Sequence, residues 1–456
     1  MSSSVVMKFG GTSVADADAM TRVVNIVRGQ WESQPSGSRP PVVVVSALSK
    51  VTDGLIRTAT FAASGDAPRA AALVTELLDR HLAIASTLTA GARSDELAGA
   101  LRLQFKELGD LVASLAAKRE VTPGAHDAIV AMGELASSRI VASAFAEQKL
   151  PAVWVDARQV LVTDAEHTLA VPDMTATCSR AAECLKPVGA RGEIPVLGGF
   201  IGATAAGVTT TLGRGGSDYS AAIFGACLDV DEIQIWTDVD GMLTADPRVV
   251  PAPRVVPQLS FAEASELAYF GAKVLHPATI LPAVSKNIPV RILNSRQPEN
   301  PGTLIAARVE RESHLAALAC KRDVTVVDIT STRMFMAHGF LRRLFEVFER
   351  FKTAVDVVTT SEVSVSVTVD NAKHLQGITA ALREFAEVGC EPQMAIVSIV
   401  GERLNEAPGV FAKAIVALGD IPLRLVSQAA SRRNVTFVLR DQDVTSAMTR
   451  LHDAFF

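Results

Sequence analysis

Long apolar runs are missing from this 456-residue chain. Hydrophobic residues make up 48% of it. They fall in short β-branched runs such as Val42-Val43-Val44-Val45, and none approaches the roughly 20 residues a membrane span needs. A basic excess is missing too: 44 Lys and Arg stand against 49 Asp and Glu, a formal charge of -5. That balance argues against a dedicated nucleic-acid binder, which concentrates positive charge. Cysteine is sparse. Cys178, Cys184, Cys227, Cys320 and Cys390 are scattered, odd in number and without metal-ligand spacing, and no His-Glu-x-x-His occurs among the eight histidines. Reduced thiols, a cytoplasmic chain and no metal site by direct motif are expected. The start, Met1-Ser2-Ser3-Ser4, shows no basic region or cleavage-like site, so no secretion signal is expected. Also absent are Gly-x-x-x-x-Gly-Lys-Ser/Thr and any Ser/His/Asp or Cys/His pattern.

What remains is an enzyme-sized chain, long enough for two to four domains at roughly 100–200 residues each. Its first two thirds alternate strand-like and helix-like segments. Residues 4–9 read as a buried strand ending in Gly10-Gly11-Thr12-Ser13, and a helix over 14–29 follows with Thr12 or Ser13 as N-cap. Residues 41–46 form the next strand, 67–117 are helical, and Thr122-Pro123 opens another helix. Further strands are predicted at 152–155, 194–197, 208–212, 232–236 and 289–293. This alternation implies an α/β unit with a mostly parallel sheet and helices on both faces. The polar stretch Asn294-Ser295-Arg296-Gln297-Pro298-Glu299-Asn300-Pro301-Gly302 is a boundary. Beyond it a βαββα unit appears twice, over 324–385 and 394–455, with Gly339-Phe340-Leu341 recurring as Gly409-Val410-Phe411 and Arg424 standing where the first copy has Asp356. Two α+β modules that pair their sheets are expected.

Three polar, glycine-bearing segments follow strands. Lys8-Phe9-Gly10-Gly11-Thr12-Ser13 would let backbone N–H groups approach an anion, with Lys8 adding a mobile charge; the plainer reading is a tight turn. In Gly213-Arg214-Gly215-Gly216-Ser217-Asp218-Tyr219, Arg214 can grip a carboxylate and Asp218 can orient a lysine or Mg²⁺, or simply cap a helix. The segment from Trp236 to Arg248 leads a strand into a polar loop suited to a nucleotide, though its Asp240-Gly241 and Asp246-Pro247 are ordinary turn signals. Near Gly271, Lys273 adds a further cation, and His276 before Pro277 reads as a structural cap. Lysines, an arginine and glycine loops with few candidate bases point to phosphoryl transfer, which needs positioning and charge neutralisation.

Lys8–Ser13, Gly133-Glu134-Leu135, Thr209–Tyr219, Trp236–Val239, Ala245–Arg248 and Gly271–Pro277, taken in order, resemble the successive motifs of aspartokinases in the amino-acid-kinase superfamily. The resemblance covers nearly the whole chain, and the C-terminal repeat looks like paired ACT domains, one inserted in the other. It implies a catalytic domain over 1–298, a first ACT domain over 323–390 and a second over 309–322 plus 391–456. It also implies Mg²⁺- and ATP-dependent phosphorylation of the β-carboxylate of L-aspartate, at the head of lysine, threonine and methionine synthesis. Lys8 and Asp218 would be catalytic, and Ser46, Thr52, Glu134, Arg214 and Ser217 would hold aspartate. Lys8, Phe9, Gly10, Gly11, Thr237, Asp238, Leu243, Arg248, Lys273 and Val274 would hold ATP, Leu243 standing where relatives often have tyrosine. A β-carboxylate, with a pKa near about 3.9, is already ionised and needs no general base. Asp218 therefore reads as an organiser of lysine and Mg²⁺.

The first repeat resembles the lysine-sensitive, single-function type. The resemblance implies an L-lysine site at Met334, Ala337, Gly339, Phe340, Leu341, Val355, Asp356, Thr360, Ser361 and Glu362, with Asp356 facing the effector ammonium. A homodimer or tetramer through the ACT domains is implied as well. Two alternatives stand beside this reading: another amino-acid kinase, and a catalytically silent lysine-sensing partner subunit. The chain ends just after the second repeat, so no homoserine dehydrogenase domain is expected.

Overall fold

The computed structural model of the chain describes residues 4–456 except 36, 272–276, 312, 335–337, 408 and 429–430. Two compact units emerge, Met1–Met242 with Leu275–Val309, and Leu243–Val274 with Glu310–Phe456. The stretch Leu243–Val274 groups with the second unit. There Leu318 N–H donates to Thr244 O (2.7 Å), Thr244 Oγ1 bonds His452 Nε2 (2.9 Å), and Ala245 and Val250 pack in one core with Phe437 and Leu451.

In the first unit the strands are β1 (Val5–Phe9), β2 (Val42–Val45), β3 (Ala152–Trp154), β4 (Val162–Thr163), β5 (Ile194–Gly198), β6 (Ile201–Thr204), β7 (Thr209–Thr211), β8 (Glu232–Thr237), β10 (Val290–Asn294) and β11 (Thr303–Ala306); β9 (Gln258–Ser260) belongs to the second unit. The main sheet runs β3-β5-β2-β1-β8-β10-β11, parallel throughout except for the last pair. Helices on both faces bury β1 and β2 completely, so these strands are continuous apolar runs rather than alternating ones. Lys8 is the exception. It lies opposite Val44 and Ile235 at the C-terminal end of the central strand. A second, small sheet, β4-β6-β7, packs beside the first.

The helices are α1 (Ala17–Glu32), α2 (Val51–Ser64), α3 (Ala67–Leu88), α4 (Gly91–Lys118), α5 (Pro123–Val130), α6 (Met132–Glu147), α7 (Met174–Cys184), α8 (Lys186–Ala190), α9 (Gly216–Leu228) and α11 (Leu281–Lys286), with α10 (Phe261–Tyr269) in the second unit. The first helix starts later than expected. Asp16, not Thr12 or Ser13, is its N-cap, accepting from Ala19 N–H at 2.8 Å. Ser13 is occupied in the glycine turn, its N–H on Gly10 O (2.9 Å) and its hydroxyl 2.8 Å from that of Ser295. The long helical stretch breaks into α3 and α4, because Thr89 is extended and Gly91 takes a positive φ of 56°. Thr122 and Pro123 open α5 as expected, with Thr122 Oγ1 accepting from Ala125 N–H at 3.2 Å. The segment Pro123–Glu147 has the length and apolarity of a membrane span, yet 78% of its most apolar part is buried inside the unit. One cysteine expectation fails: Cys178 on α7 and Cys227 on α9 are disulfide-bonded, with Cα atoms 4.6 Å apart. Their 49-residue separation in sequence conceals two packed helices.

The second unit continues with β12 (Leu315–Thr330), α12 (Phe340–Arg350), β13 (Val358–Thr360), β14 (Ser364–Val369), α13 (Leu375–Leu382), β15 (Glu387–Gly401), α14 (Val410–Leu418), β16 (Leu425–Gln428), β17 (Asn434–Arg440) and α15 (Val444–Phe455). The two repeats do not merely abut sheets. They share one six-stranded sheet, β13-β14-β12-β15-β17-β16, whose two long central strands each serve both repeats. Val324–Thr330 of β12 lies against β14 and the first half of β15; Leu315–Lys321 lies against the second half of β15.

Helix α9 ties the first unit's core to its ligand-facing edge, through a fully buried Phe224. Phe224→Ala should lower the free energy of unfolding by about 3–5 kcal/mol in urea denaturation. A loss below about 1 kcal/mol would show that α9 is not anchored this way.

Candidate active site

At the C-terminal edge of the main sheet, where open α/β sheets bind ligands, lies a cavity of about 370 Å³. Strand β1 delivers Lys8 and the turn Gly10–Ser13. The segment after β2 delivers Ser46, Ser49, Lys50 and Thr52, and the loop after β7 delivers Gly213–Gly216 and the start of α9. Gly11 is required by close approach: a Cβ there would sit 2.9 Å from Ala47 O. Gly213 and Gly215 take φ values of 76° and 72°, which favour glycine. No side chain caps α9, so its first N–H groups and the positive end of its dipole face the cavity.

Lys8 Nζ lies 2.7 Å from Asp218 Oδ1, with both side chains largely buried. This pair joins β1 to the first turn of α9. Glu134, on the first turn of α6, is 3% exposed. Its Oε1 accepts from Ala47 N–H at 3.1 Å, and its Oε2 is buried without a hydrogen-bond partner. Burial pushes its carboxyl up to about 8 despite that bond. Burial thus favours the neutral form of Glu134, whose Oε2 makes no hydrogen bond among the described residues.

Lys8, Gly11, Ser46, Thr52, Glu134, Arg214, Ser217 and Asp218 thus come together around one space. Phe9 is buried beneath it, stacked on Trp236 with ring centroids 5.9 Å apart. Gly10 N–H donates to Trp236 O at 3.0 Å, which sets the start of Thr237-Asp238 beside the glycine turn. Thr237 is half-buried and Asp238 exposed. Leu243 and Arg248 belong to the second unit, where Leu243 bridges Val255 and Arg248 is paired with Asp246 at 2.6 Å. Lys273, Val274 and His276 lie outside the described residues.

Lys50 and Phe200 are among the cavity residues the sequence reading leaves out. Lys50, with φ 67°, precedes α2 and brings a further cation to the rim; its signal is Ser49-Lys50 directly after a strand. Phe200, with φ 65°, turns the chain between β5 and β6, its N–H on Ser220 Oγ at 2.9 Å. Nothing local marks it.

Of the residues assigned to an effector, Ala337 lies outside the described residues. Met334, Phe340 and Val355 pack on the core of the first repeat, and Gly339 (φ 83°) starts α12 with Leu341 exposed on its first turn. Thr360, Ser361 and Glu362 form the exposed end of β13 and its turn. Asp356 is not free: its side chain is 2% exposed and its Oδ1 already takes Lys321 Nζ (2.8 Å) and Tyr269 Oη (2.7 Å), while Oδ2 is buried without a partner. Arg424, its counterpart, is paired with Asp328 and with Glu391 at 2.9 Å.

Comparison with known proteins places these features in context. Residues 3–294 match the amino acid kinase family, and residues 397–455 match an ACT domain. The lysine-sensitive aspartokinase 3 of Escherichia coli strain K12 is 36% identical over all of both chains. The chloroplastic aspartokinase 3 of Arabidopsis thaliana is 34% identical over 99% of this chain and 81% of its own. Among solved structures, E. coli aspartokinase III in complex with lysine and aspartate aligns with a TM-score of 0.80 at 35% identity, covering 99% of both chains. The same enzyme with aspartate and ADP aligns at 0.81 and 34%, with the same coverage.

The protonated state of Glu134 has a direct readout. Infrared difference spectra of the ligand-free protein should show a buried protonated carboxyl band that disappears as pH rises through about 8 and is missing from Glu134→Gln. A carboxylate already ionised at pH 6 would contradict the geometry.

Proposed function

The chain belongs to the aspartokinase family and transfers the γ-phosphate of ATP to the β-carboxylate of L-aspartate, giving 4-phospho-L-aspartate; we propose that the cavity beside Lys8 is where its own residues do this. The observation carrying the proposal is the convergence of Lys8, Glu134, Arg214 and Asp218 on one cavity at the sheet's C-terminal edge. Arg214 grips the α-carboxylate of aspartate in a bidentate fork. Glu134 receives the α-ammonium on Oε2, giving up its proton as the ion pair forms. Ser46, Thr52 and Ser217 line the path of the β-carboxylate.

That carboxylate is already a nucleophile, so the obstacle is electrostatic: an anion must meet a polyanion. Lys8, held by Asp218, neutralises the transferring phosphoryl group, and the glycine turn and the N-terminus of α9 offer N–H groups to it. Phe9, Gly10, Gly11, Thr237 and Asp238, all in the first unit, are proposed to hold the nucleotide. Among the described residues no three His, Cys, Asp or Glu side chains cluster. Mg²⁺ brought with the nucleotide would supply charge neutralisation, and Asp218 would be the carboxylate to hold it.

L-lysine is proposed as feedback inhibitor, bound by the first repeat at Met334–Leu341 and Val355–Glu362. The E. coli relative was solved with lysine bound. Subunits are proposed to associate as dimers or tetramers through the ACT domains, with the reaction in the cytoplasm. The catalytic domain is assigned to residues 1–298 in this reading, and the ACT domains to 323–390 and to 309–322 with 391–456.

Trapping the acyl phosphate with hydroxylamine tests the whole reading. Hydroxamate should form from ATP and L-aspartate and be suppressed by L-lysine. Lys8→Ala should lower kcat by at least about a hundredfold with the fold intact by circular dichroism; near-normal turnover would remove Lys8 from the chemistry. Asp356→Ala should relieve lysine inhibition while kcat stays close to the parent value. Undiminished sensitivity to lysine in that variant would move the effector elsewhere.

A further inference from the structure

A second buried carboxylate, outside the cavity, gathers more donors than any group within it. Asp127 on α5 is fully buried. Its two oxygens accept from Thr211 Oγ1 (2.7 Å), Thr211 N–H (3.3 Å), Thr168 N–H (3.0 and 3.2 Å) and His167 Nδ1 (2.9 Å). Burial alone would raise its pKa, but the nearby His126 ring (Nδ1 at 4.0 Å) and the bonds from Thr211, Thr168 and His167 outweigh that and leave it lowered. A buried charge costs several kcal/mol unless fully partnered, so its partners show what it holds in place.

Those partners belong to two segments that flank Gly213. Thr211 ends β7, two residues before Gly213 and three before Arg214. Thr168 has φ 71°, a strained conformation for a β-branched residue, and its N–H is held by Asp127. Its carbonyl oxygen and Leu169 press on Gly213, where a Cβ would lie 3.1 Å from Thr168 O and 2.5 Å from Leu169 Cδ2. Ala170 N–H donates to Thr211 O at 2.9 Å and closes the arrangement. On the other side, α5 passes through Ala131 into α6, whose first turn carries Glu134. Seven residues of helix, about 10 Å, separate Asp127 from Glu134.

We propose that Asp127 is a positioning residue for aspartate: it clamps the loop bearing Arg214 to the same helical rod that bears Glu134, and so sets the distance between the two groups that hold the amino acid's carboxylate and ammonium. The proposal rests on the assignment of Arg214 and Glu134 to aspartate. A loosened clamp lets Arg214 drift while the glycine turn at Lys8 stays where β1 puts it. Aspartate binding suffers and nucleotide binding does not.

Steady-state kinetics of the full chain with Asp127→Ala, Asp127→Asn, Thr211→Val and Arg214→Ala provide the test. Asp127→Ala should raise KM for aspartate about tenfold or more while KM for ATP stays within about twofold. Asp127→Asn, which keeps an acceptor oxygen, should recover part of that loss. Thr211→Val, which deletes one hydroxyl donor at constant shape, should move KM for aspartate the same way by a smaller factor, and it stands in if Asp127→Ala does not fold. Equal changes in both KM values, or a lowered Tm with KM for aspartate unchanged, would overturn the positioning role. Arg214→Ala separates the two layers. If it leaves KM for aspartate unaltered, the substrate assignment fails and the proposal falls with it. If it raises that KM while Asp127→Ala and Thr211→Val do not, only the clamp is wrong.

Discussion

A lysine at the end of a buried strand, held by an aspartate on the first turn of the helix opposite, is the contact on which the site depends. Lys8 would otherwise be an expensive residue in the centre of an apolar parallel sheet. Its place at the C-terminal end of β1 lets the ammonium leave the sheet, and Asp218 2.7 Å away offsets its desolvation and fixes its direction. Both neighbours of β1 are parallel to it. Consequently the segments that follow β1, β2 and β8 open on one edge, and residues far apart in sequence converge there. Phosphoryl transfer to a carboxylate asks for little covalent chemistry from the protein and a great deal of placed positive charge, which this edge supplies.

The same cavity holds a negative group in reserve. Glu134 is kept neutral by burial, with one oxygen bonded to Ala47 N–H and the other unpartnered. In the proposed function, an ammonium bound there would turn a buried acid into a buried ion pair and so link substrate affinity to proton release. Arg214 stands on a glycine loop and Glu134 on a helix, so the proposed recognition of the amino acid is divided between two different kinds of element.

In the second unit, a shared sheet replaces what two independent modules would have supplied. Long strands β12 and β15 run through both halves, so neither repeat can shift without disturbing hydrogen bonds in the other. Asp356 is tied within this unit to Lys321 and, through Tyr269, to α10. Lys273 follows Tyr269 by only four positions in the chain. Any group that approaches Asp356 Oδ1 meets the Lys321 ammonium and the Tyr269 hydroxyl already bonded to it.

The sequence by itself determined the order of elements, the sheet type, the repeat and the cluster of Lys8, Glu134, Arg214 and Asp218, because each is carried by local signals: apolar runs, glycines at strand ends, short motifs. Local signals also misled. Thr12 and Ser13 look like caps, but Ser13 is drawn into the turn against Ser295, and Asp16 takes the role. Only the tertiary structure decided which cysteines meet, that Ala245 and Val250 pack in the core around Phe437, and that Lys50 and Phe200 border the cavity. It alone decided the charge of Glu134 and the partners of Asp127. Ionisation and hydrogen bonding of buried groups depend on solvent exclusion and on donors brought from distant segments, and neither is written in the residues beside them.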